Sequence, residues 1–270
     1  ISKMKYKILC SDLDGTLLST KSDISKYAIE QINKIKNDTR IILVSARMPS
    51  GMRYIQESLG ITNQTIICYN GALVLSKQQE LSSVIIPVNL LNEIHNLCSD
   101  LEADLGLYYF NEWYVPQTSI RVEKEIKYTK STPTFQSTST TLLNWEQRKV
   151  GAHKIMLMCT KESADIVQPL LKEKFSDQLN IYRSNDTLIE IAPKSVSKLS
   201  AIKLLMNSSD SLEDIIAFGD NYNDIEMLEN VGCGVAVANA REEVKAISNY
   251  ITLKNTEDGV AHFIEEHLVN

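Results

Sequence analysis

A chain of 270 residues, 43% hydrophobic and 23% charged, is long enough for one large or two moderate folded units with a sizeable core. Its formal net charge of −6 speaks against DNA or RNA binding driven by counterion release, and no basic patch draws it to an anionic membrane. The five cysteines (Cys10, Cys68, Cys98, Cys159 and Cys233) are odd in number, widely spaced and without a CxxC pair, which points to buried thiols in a reducing cytoplasm rather than to disulfides or a zinc site.

In chain order, Tyr6 to Cys10 is a short apolar run, and Ser25 to Ile35 carries Ala28, Ile29, Ile32 and Ile35 at helical spacing. Ile41 to Val44 is a second run. Met52 to Leu59 reads as a helix stopped by Gly60. Thr65 to Cys68 is a third run. The last third repeats the pattern. Ser197 to Met206 is a helix, Ile215 to Phe218 a strand, Asp224 to Glu229 a short helix and Gly234 to Val237 a strand. Arg241 to Ile247 is a helix, Tyr250 to Leu253 a strand and Val260 to Leu268 a closing helix. Apolar strands alternating with helices predict an α/β fold with a doubly wound parallel sheet covered on both faces.

The middle reads differently. Leu90 to Leu101 is an amphipathic helix, Leu105 to Val115 an aromatic strand-like run, and Val122 to Thr141 a polar, irregular stretch. Lys154 to Cys159 is a strand, and Ala164 to Phe175 a helix that Pro169 should kink. Asn180 to Tyr182 and Thr187 to Ile191 should pair around Ser184-Asn185-Asp186. The chain therefore divides into a discontinuous core domain, 1–82 and 192–270, and an inserted α+β domain, 83–191. No apolar run is long enough to span a bilayer, and no secretory signal peptide is visible.

Polar residues follow each core strand. Ser11-Asp12-Leu13-Asp14-Gly15-Thr16 follows the first, Ser45-Ala46-Arg47 the second and Tyr69-Asn70-Gly71 the third. Gly219-Asp220 and Asn223-Asp224 follow Ile215 to Phe218. In a parallel sheet these ends lie on one edge, where ligands bind, so Asp12, Asp14, Ser45, Asn70 and Asp220 should converge. Asp12 and Asp14 are two apart and point the same way on extended backbone. With Asp220 they crowd three carboxylates, a cost that a hard divalent ion such as Mg2+ removes. A metal beside a carboxylate suits phosphoryl transfer. The four histidines, His95, His153, His262 and His267, show no ligand spacing.

Asp12-Leu13-Asp14-Gly15-Thr16 resembles the first signature of the haloacid dehalogenase superfamily. Ser45 resembles its second motif, Lys198 its third, and Gly219-Asp220-Asn221-Tyr222-Asn223-Asp224 its fourth. The insert, Asn70-Gly71-Ala72 and Asn239-Ala240 are similar to the Cof-type phosphatase branch with a C2B cap. Ser45-Ala46-Arg47 departs from the more common Thr-Gly-Arg but keeps the hydroxyl. The resemblance implies a Mg2+-dependent phosphatase acting on a small phosphorylated metabolite, such as a sugar phosphate, through an aspartyl-phosphate. It implies Asp12 as nucleophile and Asp14 as general acid and base, the latter with surroundings that keep a proton on it. It assigns the metal to Asp12, the Asp14 carbonyl and Asp220. It implies that Leu13, Ser45, Ala46, Lys198 and Asn223 bind the substrate phosphate. It makes Asp224, Asn70, Gly71 and Arg47 candidates for places behind the metal or against substrate, with a helix-start carboxylate the plain alternative for Asp224.

Two other readings compete. A sugar phosphomutase of the same superfamily would hand the phosphate back to its product. A phospho-accepting regulatory module would be about half this length and would lack the insert. The cytoplasmic monomer or weak homo-oligomer expected here needs no macromolecular partner.

Overall fold

The computed structural model describes residues 5–20, 22–77 and 79–269. They divide into two compact units, one lying within 1–81 and 197–270 and the other within 82–196.

In the first unit, β1 (Ile8–Ser11), β2 (Arg40–Val44) and β3 (Thr65–Cys68) are followed by β4 (Leu73–Ser76) and β5 (Gln79–Ser83). The helices among them are α1 (Lys26–Ile35) and α2 (Ser50–Leu59). The second unit holds α3 (Val88–Leu97), β6 (Ala103–Tyr109), β7 (Glu112–Val115), α4 (Ile120–Thr129), β8 (Thr134–Phe135), α5 (Thr138–Arg148), β9 (Lys154–Cys159), α6 (Lys161–Phe175), β10 (Leu179–Asn185) and β11 (Leu188–Pro193). The chain returns to the first unit with α7 (Lys198–Leu204), β12 (Ile215–Gly219), α8 (Ile225–Asn230), β13 (Cys233–Ala236), α9 (Glu242–Ile247), β14 (Tyr250–Ile251) and α10 (Gly259–His267).

The sheet of the first unit runs in the order β14-β13-β12-β1-β2-β3-β4-β5. Strands β14 to β3 pair in parallel. β4 turns back antiparallel on β3, so the sheet is mixed at one edge. The tight Tyr69-Asn70-Gly71 turn makes this reversal. All three have left-handed φ, at 52°, 53° and 108°. β1, β12 and β13 are buried along their whole length, as strands covered on both faces must be. α1 packs with α2 and α10 in one layer, and α8 with α7 and α9 in the other. Helix ends follow from capping. Ser25 Oγ accepts the Ala28 N–H, and Gly60 closes α2 with φ 64°.

The second unit is a six-stranded sheet, β10-β11-β9-β6-β7-β8, antiparallel except for the β7–β8 pair. Leu91, Ile94, Leu142, Trp145, Val167 and Leu171 of its helices pack on Leu105, Leu107, Ile155, Leu157, Ile189 and Ile191. Two expectations are corrected here. The run Leu105 to Val115 is a hairpin that breaks at Phe110, φ 50°. The polar stretch 122–141 is not irregular, since it holds most of α4, all of β8 and the start of α5. Ser119 and Ser137 cap those helices at their Val122 and Thr140 N–H groups. α4 buries only Val122 and Thr129, too few apolar positions to show a helical period.

Candidate active site

β1 lies between β12 and β2, so the loops after these strands meet at one edge. The chain leaves β1 through Asp12, whose N–H donates to the Phe218 carbonyl (3.1 Å). It then makes a wide turn. Leu17 N–H donates to the Asp12 carbonyl (3.3 Å) and Leu18 N–H to that of Leu13 (3.0 Å). Inside the turn Asp14 is extended and Gly15 has φ 81°. A Cβ on Gly15 would stand 2.6 Å from Asp220 Oδ2, so only glycine lets the turn lie this close to the carboxylate.

Three carboxylates gather beside that turn. Oxygens of Asp12, Asp220 and Asp224 lie within 4.8 Å of one another. Lys198, at the start of α7, reaches between two of them. Its Nζ donates to Asp12 Oδ1 (2.7 Å) and Asp224 Oδ1 (2.6 Å), and its side chain is 1% exposed. The position of α7 depends on Gly71, where a Cβ would be 2.3 Å from the Ser197 carbonyl oxygen. Asp224 Oδ2 accepts the N–H groups of Asp220 (2.9 Å) and Asn221 (3.1 Å). Asp224 is therefore both the helix-start carboxylate and the partner of Lys198. Thr16 Oγ1 donates to Asp220 Oδ1 (2.9 Å).

Burial pushes the Asp12 carboxyl well above the usual range, against the pull of Lys198, with Asp224 and Asp220 adding to the rise. Asp220 is pushed up to about 6, by burial first and by Asp224 second. Burial works against the charge on Lys198, but Asp12 and Asp224 outweigh it and raise its pKa. Fully ionised, the cluster has two more negative than positive charges, a match for one divalent cation. An all-oxygen donor set suits a hard ion. Asp224 already accepts three hydrogen bonds, which leaves Asp12 and Asp220 as the side chains best able to hold such an ion.

Asp14 stands apart from this cluster. Its side chain is 49% exposed, and Arg47 grips it at two points, Nε to Oδ2 (2.7 Å) and NH2 to Oδ1 (2.5 Å). Asp14 is not one of the three clustered carboxylates, and the rule that residues two apart point the same way does not apply here, because Leu13 between Asp12 and Asp14 has helical rather than extended φ and ψ. Both Asp14 oxygens accept from the Arg47 guanidinium. Arg47 is itself buried, and its NH1 donates to the Gly51 carbonyl (3.0 Å) and the Tyr54 hydroxyl (2.9 Å).

Ser45 is buried at the end of β2, where its Oγ accepts the Arg47 N–H (3.2 Å) and its carbonyl the Asn70 N–H (2.9 Å). Leu13 is buried and Ala46 half-buried in the two loops that flank Asp12. Asn223 Nδ2 donates to Asn70 Oδ1 (3.1 Å), which joins the loop after β3 to the fourth-motif loop. Sequence reasoning gave no role to Thr16 or to Asn255, and quoted Asn239 only as part of a motif. Asn239 Nδ2 donates to the Gly15 carbonyl (2.8 Å) and Asn255 Nδ2 to that of Leu18 (3.0 Å). Thr16 closes the DxDGT run, the one signal that pointed at it.

Residues 9–264 match the family described as haloacid dehalogenase-like hydrolase. The chain belongs to this family. It is 33% identical to a Haemophilus influenzae protein provisionally named a phosphatase, over 97% of this chain and 98% of that one. It is 25% identical to the 5-amino-6-(5-phospho-D-ribitylamino)uracil phosphatase YitU of Bacillus subtilis, over 97% and 98%. A haloacid dehalogenase-like hydrolase from Bacteroides thetaiotaomicron has the same fold, with a TM-score of 0.87 at 27% identity over 97% of this chain and 99% of that one. The family and its relatives support a phosphatase.

Proposed function

We propose that this enzyme hydrolyses phosphate monoesters of small metabolites, sugar phosphates among them, through an aspartyl-phosphate on Asp12 and with Mg2+ as cofactor. The observation that carries the reading is the buried Asp12–Lys198–Asp224 chain beside Asp220, a cluster short of one divalent cation. Asp12 Oδ1 accepts from Lys198, which leaves Oδ2 to attack phosphorus. The Oδ2–P bond forms as the bond from phosphorus to the ester oxygen breaks. Asp14 supplies the proton to that leaving oxygen. In the second half a water attacks phosphorus, Asp14 takes its proton, and inorganic phosphate leaves a free Asp12 carboxylate. For the first half Asp14 must turn from Arg47, and its half-exposed position allows this. Bound Mg2+, held by Asp12 and Asp220 with the Asp14 carbonyl as the family adds, would neutralise charge on the transferring oxygens.

Lys198 and Ser45 grip the phosphate, with the main chain at Leu13 and Ala46. Asn223 and Asn70 act beside them as one linked pair. We assign choice of the leaving group to the inserted 82–196 unit. A cytoplasmic location goes with five thiols that are all free. No helix among the described residues is long and apolar enough to cross a membrane.

The test is phosphate release from a panel of phosphorylated metabolites with and without Mg2+, together with mass spectrometry of acid-quenched enzyme. We expect Mg2+-dependent release and an adduct of one phosphoryl group on the peptide carrying Asp12. Asp12→Asn should lose both. Release that persists in Asp12→Asn would overturn the mechanism, and release only in the presence of a sugar bisphosphate would favour a phosphomutase.

A further inference from the structure

The wide turn after β1 carries the nucleophile, yet it is held from two strands away. Only its ends are closed by the Leu17 and Leu18 N–H groups, and its carbonyls need donors from elsewhere. Two amide side chains supply them in one continuous chain. Asn255 Nδ2 donates to the Leu18 carbonyl (3.0 Å), the Asn255 N–H donates to Asn239 Oδ1 (2.8 Å), and Asn239 Nδ2 donates to the Gly15 carbonyl (2.8 Å). The orientation of Asn239 is fixed by these neighbours, because a flipped amide would set oxygen against the Gly15 oxygen and NH2 against the Asn255 N–H. Asn239 follows β13 and Asn255 follows β14, so the chain reaches back past β12 to the β1 turn. Neighbouring residues of its far end pack closely. Thr252 Oγ1 donates to the Gly259 carbonyl (2.7 Å), and a Cβ on Gly259 would stand 2.0 Å from the Leu253 oxygen.

Gly15 is thus clamped, its carbonyl on Asn239 and its α-carbon against Asp220. Any slack in the turn changes the gap between the Asp12 and Asp220 carboxylates, which repel each other when ionised. We infer that Asn239 and Asn255 are positioning residues that act as one unit, holding the Asp12 turn against Asp220 so that the two carboxylates stand ready for a divalent cation. This deepens the metal-dependent reading above and rests on it.

The experiment compares wild type, Asn239→Ala, Asn255→Ala and the double variant. Mg2+ affinity is measured by titration calorimetry, and kcat and KM with p-nitrophenyl phosphate. Each single variant should weaken Mg2+ binding about tenfold and lower kcat about tenfold, with KM within about twofold, since neither residue touches the turn through a phosphate-binding group. The double variant should be no worse than the worse single one, because either change breaks the same chain. Should an alanine variant not fold, Asn239→Leu and Asn255→Leu keep the side-chain volume and add no charge while removing the donor to Gly15 or Leu18. Mg2+ affinity and kcat within twofold of wild type in both single variants, or a double loss equal to the product of the single ones, overturns the inference. A wild type that releases no phosphate from any ester would sink the phosphatase reading alone, since the Mg2+ titrations still report on the two asparagines.

Discussion

Replacing Lys198 by methionine keeps its length and apolar stem but removes the ammonium that bridges two buried carboxylates, Asp12 and Asp224. Two charge-assisted hydrogen bonds are lost, at 2.7 and 2.6 Å. Breaking a buried pair by removing one partner costs about 3–5 kcal/mol, mostly because the other charge stays buried without compensation. At about 2–4 °C per kcal/mol for a chain of this size, the melting temperature at pH 7 should drop by about 10 °C. The loss also has a sign in pH. Asp12, already raised by burial, rises further once Lys198 is gone. The folded variant then binds more protons than the unfolded one, so its stability is greatest below the unfolded carboxylate range near pH 4 and falls as pH rises. Lys198→Met should therefore approach wild type in thermal melts at pH 4.5 and diverge from it by pH 7. Mg2+ should stabilise the variant more than wild type, because it meets one more uncompensated negative charge. A variant that melts within about 2 °C of wild type at pH 7, with the same pH slope and the same Mg2+ response, would refute this account of the cluster.

Gly15→Ala places a methyl group 2.6 Å from Asp220 Oδ2 at φ 81°, so Asp220 must move. Beyond the backbone cost of about 1 kcal/mol, Mg2+ affinity should fall by at least about tenfold in a calorimetric titration. Arg47→Lys keeps the charge but cannot hold Asp14 at two points while also reaching Gly51 and Tyr54. We expect the loss of these buried hydrogen bonds to lower the melting temperature by about 3–6 °C in a thermal melt, while kcat for phosphate release is not reduced, since Asp14 must leave Arg47 to act. His153 accepts the Phe110 N–H on Nδ1 (3.2 Å), lies 2.8 Å from Ser83 Oγ through Nε2, and stacks on Tyr109. Burial pushes its pKa down to about 4. It stays neutral in the fold while the unfolded chain takes up a proton near pH 6.5. Stability is therefore lost as pH falls from 6.5 to 4, by up to about 3 kcal/mol. In urea unfolding, the gap between wild type and His153→Asn should narrow toward pH 4.5, and a gap constant from pH 7 to 4.5 would exclude this.

Strand polarity made the core readable before any coordinates. Asp12, Ser45 and Asp220 each follow a buried run directly, and parallel pairing leaves their positions no freedom but to share an edge. Alternation was a weaker guide, because it assumes extended backbone. It fails at Leu13, whose helical φ and ψ break the extended run between Asp12 and Asp14, and the Asp14 carboxylate pairs with Arg47 outside the cluster. Lys198 sits at the start of a seven-residue helix and reads as a surface lysine by pattern. What buries it is the close approach of Ser197 to Gly71, a contact between residues 126 apart in the chain. The two asparagines that hold the turn were illegible for a related reason. A side chain that donates to a main-chain carbonyl needs no pattern of neighbours around it, only two loops brought side by side. That adjacency comes from the order β14-β13-β12-β1, in which the last strands of the chain fold back beside the first. Residues of this kind are found by asking which backbone groups of the turn after β1 lack a local partner, and what the strand order then places within reach.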